Sequence, residues 1–112
     1  MNSANAKEHA LALVRLLEGK QAEDVVLLDV SQQTIVTDYF VVATARNPTH
    51  MAALSEAIAR SDPKLHHREG RDESPWVLFD CGDVVVHIFT AEGRAFYGLE
   101  RLWGDVPRVQ VD

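Results

Sequence analysis

At 112 residues, with 46% hydrophobic and 25% charged residues, the chain has the make-up of a soluble globular protein, and its length argues for one domain spanning residues 1–112. A single cysteine, Cys81, excludes a disulfide scaffold, and no apolar run approaches the roughly 18 residues of a membrane span. Eleven basic against 17 acidic residues give a net charge of −6, which argues against direct RNA or DNA binding, because that needs a basic footprint to displace counterions from phosphates.

The start, Met1–Asn5, is polar, and Arg15 and Glu18 interrupt the apolar residues that follow, so no signal peptide is expected. With one reduced thiol, this points to the cytoplasm. Ala10, Leu13, Val14 and Leu17 recur at helical spacing, so Ala6–Glu18 reads as a helix. Asn5 is the expected N-cap, Glu8 its capping-box partner, and Gly19 the stop. Val25–Val30 reads as a buried strand, Ser31–Thr37 as a polar connection and Asp38–Thr44 as a second strand. Asn47-Pro48 starts a second helix, with Met51, Leu54 and Ile58 on its apolar face. Asp62-Pro63 ends it, since the residue before proline is pushed out of the α region. The stretch Arg60–Glu73 is the most basic, but Asp62, Glu69, Asp72 and Glu73 cancel its Arg60, Lys64, Arg68 and Arg71.

Leu65–Glu69 is expected as a third strand, making a βαβ crossover with Asp38–Thr44 and the helix between. Trp76–Asp80 and Asp83–Phe89 are the clearest strands, joined by a tight turn in which Gly82 can take a positive φ. Thr90 caps a last helix over Ala91–Trp103, with Ala95, Leu99 and Leu102 on one stripe and Gly104 and Pro107 closing it. The order is α-β-β-α-β-β-β-α, an α/β or α+β domain with a mixed sheet of about five strands packed with helices.

If Cys81-Gly82 is a two-residue loop, Asp80 pairs with Asp83, Phe79 with Val84, Leu78 with Val85, Val77 with Val86 and Trp76 with His87. Alternation then puts Val77, Phe79, Val84, Val86 and Ile88 on an apolar core face. The other face carries Trp76, Leu78, Asp80, Val85 and His87, a mixture of aromatic anchor, aliphatics and hydrogen-bonding groups that suits an interface centre. The alternative is that a helix covers this face and Trp76 is core.

Other chemistry finds little support. His66, His67, Glu69 and His87 are potential metal ligands, but adjacent strand histidines point to opposite faces, and there is no CxxC or HExxH. No metal or other cofactor is expected. Asp29, Asp38, Asp80 and Asp83 end strands and could hold Mg²⁺ for nucleotidyl transfer, yet no Gly-rich phosphate cradle accompanies them. Cys81 lies in a turn without a defined base.

Three blocks carry a family resemblance: Ala22–Val30 (AEDVVLLDV) with Thr37–Thr44 (TDYFVVAT), Trp76–Phe89 (WVLFDCGDVVVHIF), and Ala95–Val109 (AFYGLERLWGDVPRV). Together they resemble the ribosomal silencing factor family, RsfS or Iojap, over nearly the whole chain. The resemblance implies a nucleotidyltransferase-like topology without enzyme activity. It implies a translation repressor that binds ribosomal protein uL14 on the large ribosomal subunit and sterically blocks the small subunit under nutrient limitation, and that can form a homodimer. It tips the Trp76 face toward docking, with Trp76, Leu78, Asp80 and His87 as partner-binding residues and Glu100 and Trp103 as a second location. The rivals are a nucleotidyltransferase-like enzyme using Asp29, Asp38 or Asp80, and a generic homodimeric interaction module. Cys81 and the His66-His67 pair look particular to this sequence. Gly93 stands where relatives often carry a better helix former, which weakens the start of the last helix.

Overall fold

The structure, a computed structural model, describes residues 3–111. Helix α1 (Ser3–Gly19) buries Ala6, Ala10, Leu13, Val14 and Leu17, the expected stripe. Its ends differ from expectation. Asn5 lies inside the helix, and Gly19 is its last residue rather than the stop. The left-handed position falls on Gln21, φ +69°, where Gln21 N–H donates to Glu18 O (3.0 Å) and Ala22 N–H to Leu17 O (2.9 Å). That is a Schellman closure built on a non-glycine residue. It is held from the start of the next helix: the Arg46 guanidinium donates to Gln21 O (3.1 Å), and His50 Nε2 lies 3.0 Å from Lys20 O.

Strands β1 (Glu23–Asp29) and β2 (Tyr39–Thr44) pair antiparallel, with a bulge between Glu23 and Val26. Helix α2 (Pro48–Ser61) starts as expected, with the Asn47 side chain accepting from His50 N–H and Pro48 in its first turn; Met51, Leu54 and Ile58 are buried. Then follow β3 (His67–Glu69), β4 (Trp76–Asp80) and β5 (Val84–Phe89). The sheet order is β3-β4-β5-β2-β1-β6, where β6 (Arg108–Val109) pairs with β1. The fold is a mixed α+β arrangement on a six-stranded sheet, one strand more than expected. Two residues after a proline carry no readable pattern, so β6 is invisible in the sequence.

The expected crossover is modified. Strands β2 and β3 run in the same direction, but β4 and β5 lie between them, and the parallel neighbour of β2 is β5. The hairpin register also differs. Trp76 pairs with Phe89, Leu78 with His87 and Asp80 with Val85. Cys81 N–H donates to Val84 O (2.9 Å), so Gly82 and Asp83 form the loop, with only Gly82 at positive φ (+82°). Positive φ at the first loop residue alone fits a type II′ turn, which suits the strands' twist. Because the slip is two residues and side chains alternate with period two, both faces keep their expected membership.

The last helix is broken. Helix α3 (Ala91–Tyr97) is capped by Thr90, whose hydroxyl accepts from Gly93 N–H, and ends at Gly98 (φ +60°); α4 (Leu99–Leu102) is a single turn beyond it. The left-handed kink destroys the expected stripe: Leu99 is buried, Ala95 is exposed and Leu102 is 79% exposed. Gly93 has a packing reason in α3. A Cβ there would stand 2.4 Å from Pro75 O, so glycine lets the helix pass close over Pro75.

One sheet face meets α1 and α2 and carries Val77, Phe79, Cys81, Val84, Val86 and Ile88, the expected core. The opposite face gathers Leu28, Val30, Phe40, Val42, Val85 and Phe89 under Leu99 and Val106, with Trp76, Leu78 and Trp103 only partly buried.

Candidate docking surface

On that second face, β4 alternates Trp76, Leu78 and Asp80 outward while Val77 and Phe79 go to the core, giving half-buried and buried residues in turn. α3 covers one end only. Trp76 stacks on Phe89 (centroids 5.1 Å, 27°) and meets Tyr97 (5.0 Å). From Trp76 the contacts continue through His87 (5.8 Å), then Phe40 edge-on (4.6 Å), then Trp103 edge-on (5.0 Å). The result is a row of rings across β4, β5 and β2, closed at the far end by the turn after α4.

Beside this row lies a groove of about 310 Å³, walled by Val36, Phe40, Leu78, Val85, His87 and Trp103. Its polar lining includes His67, Glu69 and Asp80. Val36, 77% exposed, extends the apolar surface outward into the β1–β2 connection, where Ile35 is fully exposed. Asp80 accepts from Gly82 N–H (3.0 Å) and faces His66 (3.4 Å), so its carboxylate both ties the hairpin and borders the groove.

His87 is 3% exposed. The Trp76 indole donates to its Nδ1 (3.1 Å). Burial pushes the imidazole down to about 4, so the ring is neutral near pH 7 and can accept that bond. The expected direct pairing of Trp76 with His87 is thus replaced by a diagonal hydrogen bond between the two side chains.

The structure thus brings together Trp76, Leu78, Asp80, His87 and Trp103. Glu100 is used differently. Its carboxylate accepts from Arg94 (2.7 Å) and Arg108 (3.2 Å), while Arg94 also donates to Thr44 (2.9 Å). These bonds brace the α3–α4 joint against β2 and the segment of β6. The Arg94 hydrogen bond holds the Glu100 carboxyl below the usual carboxylate range. Phe40 and Val36 were missed in the sequence: β2 reads as continuously apolar, so the face that Phe40 takes is unreadable until its parallel partner is known, and Val36 lies in a connection without periodicity.

The other candidates disperse. His66 faces Asp80 and His67 faces Glu69 (2.9 Å). Among the described residues no group of three or more His, Cys, Asp or Glu is placed to share a metal ion, and no helix is long and apolar enough to cross a membrane. Asp29 accepts from the Ser31 N–H and hydroxyl. Asp83 turns to the helical side, where His9 bridges two buried carboxylates, Nδ1 2.6 Å from Asp83 and Nε2 2.7 Å from Asp62. Cys81 is buried; desolvation, then Asp62, pushes its thiol well above the ordinary range, the opposite of nucleophile activation.

Comparison with known proteins gives a consistent result. A family model described as "Ribosomal silencing factor during starvation" matches residues 3–112. The chain is 37% identical over 99 residues to Ribosomal silencing factor RsfS of Bacillus subtilis, covering 85% of this chain and 84% of that one. It is 33% identical over 103 residues to the protein of the same name from Halalkalibacterium halodurans, covering 88% of each. A crystal structure of a Chromobacterium violaceum protein matches with a TM-score of 0.78 at 30% identity, over 93% of this chain and 88% of that one.

Proposed function

The chain belongs to the ribosomal silencing factor family, and on that footing we propose that it is a translation repressor that binds ribosomal protein uL14 on the large ribosomal subunit. Seated there, it occludes the small subunit when nutrients are scarce. The observation that carries this reading is the half-open aromatic face. Large apolar side chains left contiguous beside a groove are what a protein interface uses, with Trp and Tyr enriched at its centre. In this reading Trp76 and Leu78 are the central anchors, His87 supports them from beneath, Asp80 is the polar edge and Trp103 a flank. Glu100 acts indirectly, by bracing the segment that presents Trp103.

The acidic balance favours a protein partner over naked nucleic acid. An enzyme has less support, because Asp29, Asp80 and Asp83 are occupied by local or structural partners. We take the protein to work in the cytoplasm as one domain over residues 1–112, without catalysis, metal or cofactor. Family resemblance further implies self-association of the free protein; light scattering showing a monomer at high micromolar concentration removes that part.

The test uses purified uL14 free of RNA. Binding is expected, and Leu78→Asp is expected to abolish it while leaving the fold. Absence of binding to uL14, with tight and steeply salt-dependent binding to naked ribosomal RNA, overturns the reading.

A further inference from the structure

The Trp76–His87 pair leaves one group unaccounted for. Indole N–H can only donate, so His87 Nδ1 is the acceptor. A neutral imidazole carries one proton, which therefore sits on Nε2. That Nε2–H is buried and has no hydrogen-bond partner among the described residues. Buried donors in native proteins are almost always paired, so an unpaired one asks for a reason. His87 is itself a wall of the groove, 3% exposed, between Phe40 and Leu78.

We infer that the partner seated on this face presents a neutral hydrogen-bond acceptor, a main-chain carbonyl, to His87 Nε2–H. This rests on the docking reading above and adds the chemistry of recognition. A carboxylate is disfavoured as the occupant because Asp80 and Glu69 line the same groove and would repel it. A carbonyl brings acceptor strength without charge, and its flanking apolar side chains fit against Leu78, Val85 and Trp103. The arrangement makes the docking face selective. An apolar surface lacking an acceptor at that point leaves the donor unpaired, whereas the correct partner pairs it. Trp76 is then a positioning residue as well as an anchor: by occupying Nδ1 it fixes the tautomer that makes Nε2 the donor.

The experiment is nitrogen-15 NMR of the full chain, titrated with purified uL14, together with binding of a His87→Phe variant. In the free protein the His87 ring is expected as the Nε2–H tautomer. On addition of uL14 its Hε2 signal should move downfield and become protected from solvent exchange. His87→Phe, which keeps a ring against Phe40, should bind about tenfold or more weakly. An Nδ1–H tautomer in the free protein overturns the inference. So does an Hε2 signal that stays unchanged while Trp76 and Leu78 signals shift; in that case the docking reading stands alone. If no signal on this face responds to uL14, both fail. Should His87→Phe not fold, the NMR signals still decide.

Discussion

The Trp76 indole donates to His87 Nδ1 across 3.1 Å, joining a half-buried ring on β4 to a buried one on β5. The bond exists only while His87 is neutral. Burial holds the folded imidazole at about 4, against 6.5 for the ordinary value. In the unfolded chain the ring protonates first, so the unfolded state binds more protons between these values and stability rises with pH there. His87 should contribute on the order of 3 kcal/mol above about pH 6.5, lost progressively as pH falls through the folded value. Thermal melts from pH 7 down to about 4.5 check this. His87→Phe should flatten that part of the profile, and an unchanged profile in the variant would contradict the assignment.

Leu78 is half-exposed on the groove wall, and truncation there removes little of the core. Leu78→Ala should melt close to the parent protein yet lose about 1–2 kcal/mol of uL14 binding, measured by calorimetry. Trp76→Ala should lose at least about 2 kcal/mol of binding. It will also cost stability, since the ring stacks on Phe89 and Tyr97. A Trp76→Ala chain that is unfolded would make Trp76 core and not anchor. A folded variant of either residue that binds normally would move the docking site elsewhere.

Gly93 offers a test of the packing of α3. Alanine is the better helix former by about 1 kcal/mol. The added Cβ, however, meets the Pro75 carbonyl at 2.4 Å, and Pro75 O also accepts from Thr90 N–H. Backbone must shift, so Gly93→Ala should destabilise by roughly 1–3 kcal/mol. A raised melting temperature would show that propensity wins and the close approach is relaxed at little cost.

The His9 bridge predicts a third stability effect. His9→Ala leaves the Asp62 and Asp83 carboxylates buried without the ring between them and detaches α1 from the hairpin loop. The expected loss is about 2 kcal/mol, the scale for leaving buried polar groups without their hydrogen-bond partner. Denaturant unfolding of His9→Ala measures it; a loss below about 0.5 kcal/mol would make the bridge incidental.

The sequence showed its clearest signals where periodicity is strong. Alternation in Trp76–Phe89 identified both sheet faces even though the pairing is two residues away from expectation, because parity survives an even slip. Asn47-Pro48 and Thr90 act locally through their own side chains, and both caps were readable. What escaped was non-local or depended on a single backbone angle. Gln21 takes the left-handed position two residues after Gly19, since the α2 start supports it there. Gly98 breaks a stripe that continuous spacing had suggested. His9 meets partners 53 and 74 positions away, a relationship no window can contain. Of the candidate face, the shared side of Trp76, Leu78, Asp80 and His87 was legible from hairpin alternation, whereas Phe40 needed the β2–β5 pairing and Val36, in the β1–β2 connection, needed the folded loop.

Occlusion of subunit joining is read out by sucrose-gradient sedimentation of ribosomal subunits. Purified large and small subunits are mixed under joining conditions with and without the protein. The joined-ribosome peak is expected to fall, with the protein co-sedimenting with the large subunit, and the Leu78→Asp variant is expected neither to lower that peak nor to co-sediment. Full joining in the presence of saturating protein, or protein that travels with the small subunit instead, would contradict it.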